Sequence, residues 1–259
     1  YYWSVTAGVR LDKDKLTLEN AFLTLYDGSG QEIEANAIHA SATFSEIPEH
    51  VKHAFVAVED KRFYQHKGVD VRRMAAACWK NLTSFSFREG ASTITQQLIK
   101  NTHLTSEKTI NRKLKEIHLA RLLEKKYTKD EILTLYLNSI YFGHSAFGIE
   151  SAAHFYFGKS ASELLPAEGA TLAALIKSPN RYSPFRDAEN CKARRDLVLG
   201  LMREENYLDE TMYMKALAAP LPTQPAESVE QNAYLARLYD ELADLFPDAK
   251  SGEWGSLIV

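Results

Sequence analysis

The chain has 259 residues, of which 45% are hydrophobic and 25% charged, with a formal net charge of -3. That length can bury a substantial core as one large domain, or one domain plus a small appendage, and the composition is that of an ordinary globular protein. The acidic balance predicts no nucleic-acid partner, and no apolar run reaches the roughly 18 residues a membrane-spanning helix needs. Two cysteines, Cys78 and Cys191, fall in predicted helices and read as buried thiols rather than a disulfide framework.

The first twenty residues are mixed in character and predict loop or irregular edge. Ala21 to Tyr26 is a short apolar run of strand type, and Asp27-Gly28-Ser29-Gly30 supplies turn chemistry before extended chain from Gln31 to Ile33. From Pro48 the pattern becomes helical. Val51, Ala54, Phe55 and Val58 recur at helical period, with Pro48 in a favoured first-turn place. Asp70 can cap a helix through Met74, Cys78 and Leu82. Thr83 to Gly90 is a break that carries Phe85 and Phe87, predicted to be poorly ordered or membrane-facing. Ser92 can cap the next helix, and Thr105 or Ser106 opens a long one with Ile110, Leu114, Ile117 and Leu123 on its inner side. Thr128 to Glu131 is a capping box. Gly158 ends a further helix, Pro166 starts another, and 178–184 reads as loop. Asp187 and Asp209 begin the next two helices. Residues 221–231 predict a linker, 232–246 a last amphipathic helix, and 254–259 the opening of a strand. The class is mainly α. Tyr1 in place of an initiator Met predicts a trimmed product, with room for a signal or anchor removed from upstream.

Two stretches carry chemistry. Glu59 and Asp60 fall at the C-terminal end of the Pro48 helix, where the macrodipole disfavours each negative charge by about 0.3–1 kcal/mol. They are either a solvated acidic turn or a pair that includes a catalytic base. Phe63, His66 and Gly68 follow at short spacing, and His66 is equally readable as a structural histidine. The second stretch, 100–126, holds eight lysines and arginines against three acids. Most of them make an ordinary solvated face with i,i+4 pairs. Arg112, Lys113 and Glu116 share a face suited to a phosphate or diphosphate. Just upstream, Gly90 to Gln97 is either simple capping or a place where a glycine and free helix N–H groups meet an anion.

Taken together these segments resemble the peptidoglycan glycosyltransferases, the family-51 glycosyltransferases of bacterial cell-wall synthesis. The motifs stand in family order: Glu59-Asp60-x-x-Phe63-x-x-His66-x-Gly68; Gly90-x-Ser92-Thr93-Ile94-Thr95-Gln96-Gln97 with Lys100-Asn101; Arg112-Lys113-x-x-Glu116; Ile132-x-x-x-Tyr136-Leu137-Asn138; and Arg194-x-x-x-Val198-Leu199-x-x-Met202. The resemblance implies a lysozyme-like α fold with head and jaw lobes and a small β element, built from the N-terminal strand with the C-terminal tail as a candidate addition. It implies a glycosyltransferase domain at 48–220, an N-terminal extension at 1–47, and a passage at 221–259 toward a transpeptidase domain of the class A penicillin-binding type. Without that domain the chain is not expected to bind penicillin.

The implied substrates are lipid II as acceptor and a lipid-linked glycan as donor, at the outer face of the bacterial cytoplasmic membrane. The implied catalytic groups are Glu59, as base, and Glu116. Lys100, Arg112 and Lys113 would receive the diphosphate, with Mg²⁺ or Mn²⁺ as the divalent cation the resemblance admits. Asp60, Phe63, His66, Ser92, Thr93, Gln96 and Gln97 would contact substrate, and Asn138 and Arg194 would brace the cleft. Moenomycin, a phosphoglycolipid that resembles the donor, is the implied inhibitor. The rivals are a lysozyme-type hydrolase, which has no use for the cations because no charged group departs, and a non-catalytic cell-wall scaffold.

Overall fold

Among the described residues the regular secondary structure is almost entirely helical. The computed structural model describes residues 2–13, 15–16, 25–26, 32–33, 41–76, 92–104, 109–144 and 146–226. In chain order the helices are α1 (Tyr2–Thr6), α2 (Glu49–Glu59), α3 (Ile94–His103), α4 (Ile110–Lys126), α5 (Lys129–Ser139), α6 (Ile149–Phe157), α7 (Pro166–Leu175), α8 (Pro179–Tyr182), α9 (Ala188–Glu204) and α10 (Glu210–Ala218). A further helical run covers 71–76. The β structure described is one antiparallel pair, Leu25–Tyr26 with Glu32–Ile33. The architecture is mainly α, as the sequence predicts.

Helix α7 organises one group. Its residues from Ala167 to Leu175 are buried on almost every side, and most are small. Gly169 is why α2 comes so close: a Cβ there would meet Val51 Cγ2 at 3.1 Å. Helix α9 packs on both α2 and α7, and α10 closes on α9. A second group sets α3 against α4 and α5, with α1 on α4. One apolar cluster runs through both groups, from Phe55 and Leu172 to Leu98 and Leu123. It anchors the ends of α2 and α3 that meet at the site.

Several local expectations change. Tyr2–Thr6 is helix where loop was expected, held on α4 by Tyr2 Oη at 3.2 Å from His118 Nδ1. Thr93, not Ser92, caps α3, because its hydroxyl accepts from Gln96 N while the Gln96 side chain accepts from Thr93 N. Thr109 caps α4. A one-turn helix, α8, interrupts the loop at 178–184. The inner stripe of α4 is Glu116, Leu119, Ala120 and Leu123, while Ile110 is 75% exposed. The apolar spacing misled because the stripe contains a carboxylate. Cys191 is buried, and burial pushes its thiol up to about 11. The linker start is fastened to the domain, since Ala226 N donates to Phe155 O at 3.0 Å. The start of α4 expected at Thr105 or Ser106 is corrected to Thr109. Expectations for Cys78, for Phe85 and Phe87, and for 227–259 lie outside the described residues.

Candidate active site

The site begins where α2 stops. Glu59 is its last residue and Asp60 its C-cap. Asp60 is wholly enclosed, which removes the solvated-turn reading for it. Its Oδ2 lies 2.9 Å from His66 Nε2 and accepts from Ile94 N at 3.0 Å. Ile94 is the first residue of α3, so the positive end of α3 offsets the penalty at the negative end of α2. His66 is thereby a partner of Asp60, 8% exposed, and its Nδ1 and Asp60 Oδ1 have no hydrogen-bond partner among the described residues.

Glu59 is half-buried and held differently. Gln97 Nε2 donates to Glu59 Oε2 at 2.7 Å, and Arg73 Nη1 donates to the Glu59 backbone oxygen. Tyr136 Oη reaches Gln97 Oε1 at 3.4 Å. Burial, and then the charges of Glu59 and Asp60, push the Tyr136 hydroxyl well above its ordinary pKa, so it stays a donor. Among the described residues no cation pairs with the Glu59 carboxylate and Oε1 has no hydrogen-bond partner. A carboxylate positioned by an amide and left with a free oxygen can accept a proton from a bound hydroxyl.

The neighbouring residue on α3 faces the other way. Gln96 Nε2 donates to Glu116 Oε1 at 3.1 Å. Glu116, 2% exposed, also takes Arg112 Nη1 at 2.9 Å on Oε2 and Lys113 Nζ on Oε1. Lys113 Nζ donates to Ser92 Oγ at 3.0 Å. Two cations on one buried carboxylate are fixed in place and keep net positive charge. Consecutive residues, Gln97 and Gln96, thus tie the candidate base and the cationic group to one helix.

Other expected residues sort by burial. Phe63, Thr93 and Gln96 are fully enclosed, so their contacts are with protein. Thr93 Oγ1 donates to Gly68 O at 2.7 Å, and Lys129 Nζ lies 4.3 Å from the centre of the Phe63 ring. Lys100 is exposed on α3 and makes no hydrogen bond or ion pair among the described residues. Asn138 ties α5 to the chain at Ala42, giving Nδ2 to Ala42 O at 2.8 Å and taking Ala42 N at 3.1 Å on Oδ1. Arg194 lies 5.8 Å from the Tyr182 ring, whereas Arg195 is the wholly buried neighbour. Sequence reading missed Arg73, Arg195 and the hydroxyl of Tyr136; only the last stands in a quoted motif. Glu116 does not fit as a divalent-metal ligand, because its oxygens face two cations and an amide donor. Among the described residues no group of three or more His, Cys, Asp or Glu is gathered for an ion.

A positioned acid and a fixed cationic group are thus tied to one helix, α3. The transglycosylase family matches residues 29–203. The chain is 43% identical over 200 residues to penicillin-binding protein 1F of Bacillus subtilis (strain 168), covering 76% of this chain and 28% of that protein. It is 38% identical over 254 residues to penicillin-binding protein 1A/1B of the same strain, covering 92% and 28%. With penicillin-binding protein 1A of Aquifex aeolicus (strain VF5) it shares 44% identity over 192 residues, covering 74% and 26%. The chain belongs to the transglycosylase family, and so is an enzyme domain for glycosyl transfer. It spans little more than a quarter of the length of these relatives.

Proposed function

We propose that this chain polymerises lipid II into glycan strands for the bacterial cell wall, with release of polyprenyl diphosphate. Glu59 takes the proton from the 4-hydroxyl of the acceptor N-acetylglucosamine. That oxygen forms a bond to the donor anomeric carbon as the bond from that carbon to the diphosphate oxygen breaks. One displacement inverts the centre and gives a β-1,4 link. The electron pair leaves with the diphosphate, whose charge Arg112, Lys113 and exposed Lys100 stabilise. Gln97 and Tyr136 orient Glu59, and Gln96 and Glu116 hold the cations. Asp60, His66, Phe63 and Thr93 shape the junction of α2 and α3, with Ser92 beside Lys113. Any Mg²⁺ or Mn²⁺ would take oxygens from the diphosphate itself, as magnesium commonly does. The domain at 48–220 would act at the outer membrane face, with a transpeptidase domain beyond it in the whole protein.

The observation that carries this reading is the 2.7 Å bond from Gln97 to Glu59, one residue from the Gln96 that holds Glu116. A hydrolase with no charged leaving group has no use for the second half of that arrangement. The test is polymerisation of labelled lipid II by the purified chain and by Glu59→Gln, with and without a chelator. Loss of the base should slow turnover by about 10²–10⁴-fold, with circular dichroism unchanged. A folded variant with near-normal turnover would remove Glu59 from the role, and muropeptides released from polymer would favour the hydrolase.

A further inference from the structure

A cavity of about 590 Å³, sharing Arg112 with the cationic group, opens between the N-terminal segment, the C-terminal end of α3 and the first turns of α4. Four cations line it, Arg10, Lys15, Arg112 and Lys115, with Asp12 the single carboxylate among its lining residues. Of these cations only Arg112 pairs with a carboxylate among the described residues, through Glu116. Lys113 and Lys100 are not among the lining residues. The wall formed by the N-terminal segment is seated, not loose. His103 Nε2 lies 3.1 Å from the Asp12 nitrogen and 3.0 Å from its carbonyl oxygen, and Leu16 is buried.

Like charges gathered around a concavity repel one another, and an anion entering it relieves that repulsion. Thr109 and Asn111 also line the space, so the positive end of the α4 dipole adds to the same preference. Two guanidinium groups suit a phosphate because each can offer paired N–H donors, and the lysines add point charge. The volume exceeds what one small inorganic ion fills.

We infer that this cavity binds a phosphate or diphosphate group, and that the N-terminal segment supplies half of its charge through Arg10 and Lys15. The bearer is either a soluble diphosphate or an anionic lipid headgroup. The inference stands on the cavity alone and not on the assignment of Glu59.

Lysine acetylation of the wild-type chain, read by mass spectrometry, tests it residue by residue. The additions are inorganic pyrophosphate, phosphatidylglycerol vesicles and phosphatidylcholine vesicles. Lys192, which is exposed and paired with Asp196, is the reference. At a ligand concentration a few times Kd, labelling of Lys15 and Lys115 should slow by about fivefold with Lys192 unchanged. Protection by pyrophosphate alone assigns the diphosphate source, and protection by phosphatidylglycerol alone assigns the headgroup. Protection by both assigns a phosphate site common to them. In folded Arg10→Ser the protection of Lys115 should weaken. Equal labelling in every condition, or protection of Lys115 untouched in Arg10→Ser, overturns the inference. Lipid II turnover, measured separately, can fail without altering this labelling, and the reverse.

Discussion

At the residue scale, the acids of this chain divide by what accepts their charge. Glu59 has an amide and a free oxygen, Glu116 has two cations, and Asp60 has a histidine and a helix N-terminus. Asp70 is the acid whose titration should be visible in stability. Burial opposes its ionisation, but the Arg73 N–H at 2.9 Å and the Arg62 guanidinium, with Nε at 2.9 Å, outweigh burial and hold its pKa below the ordinary value. A carboxyl with a depressed folded pKa contributes stability that is complete above the unfolded value, about 3.9, and is lost as pH falls through the folded value. Asp70→Asn should therefore cost about 1–3 kcal/mol near neutrality, and less in acid. Urea unfolding at neutral and acid pH measures this. A difference between variant and wild type that does not change with pH would refute the assignment. Sequence alone marked Asp70 as a cap but gave no sign of Arg62, because that contact depends on how the turn at 61–69 folds back.

At the element scale, the turn after α2 is set by one backbone approach. Gly68 has φ +82°, and a Cβ there would lie 2.8 Å from Ala120 O in the middle of α4. Its own carbonyl accepts from Thr93, the cap of α3. The turn is thereby clamped between two helices. Gly68→Ala should destabilise the fold by about 2–4 kcal/mol, from the left-handed backbone and from contact with main chain that cannot yield. Gly8, at φ +78° with nothing within 4 Å, is the control and should cost only the backbone part, about 1–2 kcal/mol. Thermal melts compare them, and equal losses would mean that the approach to α4 is not the constraint. The helices themselves were mostly legible in periodicity and caps, including Thr128, Asp187, Asp209 and Gly158. The starts of α3 and α4 were misplaced because several Ser and Thr residues competed for one cap, and only hydrogen-bond geometry selects among them.

At the scale of the whole molecule, one buried arginine secures α10, the last helix among the described residues, to the core. Arg195 is wholly enclosed, donates Nη1 to Ala219 O at 2.6 Å and Nη2 to Leu217 O at 3.1 Å, and pairs with Asp196. Arg195→Ala strands the carbonyls at the end of α10 and should cost about 2–4 kcal/mol in chemical unfolding. Glycosyl transfer per folded molecule should stay within about twofold, since among the described residues the hydrogen bonds and ion pair of Arg195 go to Asp196, Leu217 and Ala219 and not to the Glu59 or Glu116 groups, and independent sites add. A loss below about 1 kcal/mol would show that α10 is held by its apolar face instead. The motif at 194–202 drew attention to Arg194. Which of two adjacent arginines turns inward depends on the rotation of α9 against α7, a tertiary choice.

The sequence by itself determined the helical class, most helix ends and the membership of the chain in its family, because periodicity, caps and ordered motifs are local and survive without coordinates. Only the tertiary structure decided that Glu116 lies in the buried stripe of α4, that Gln97 and Gln96 point at different acids, and that the N-terminal segment completes a cationic cavity. A charge can be buried only where partners from other helices meet it, and no one-dimensional pattern records which partners arrive.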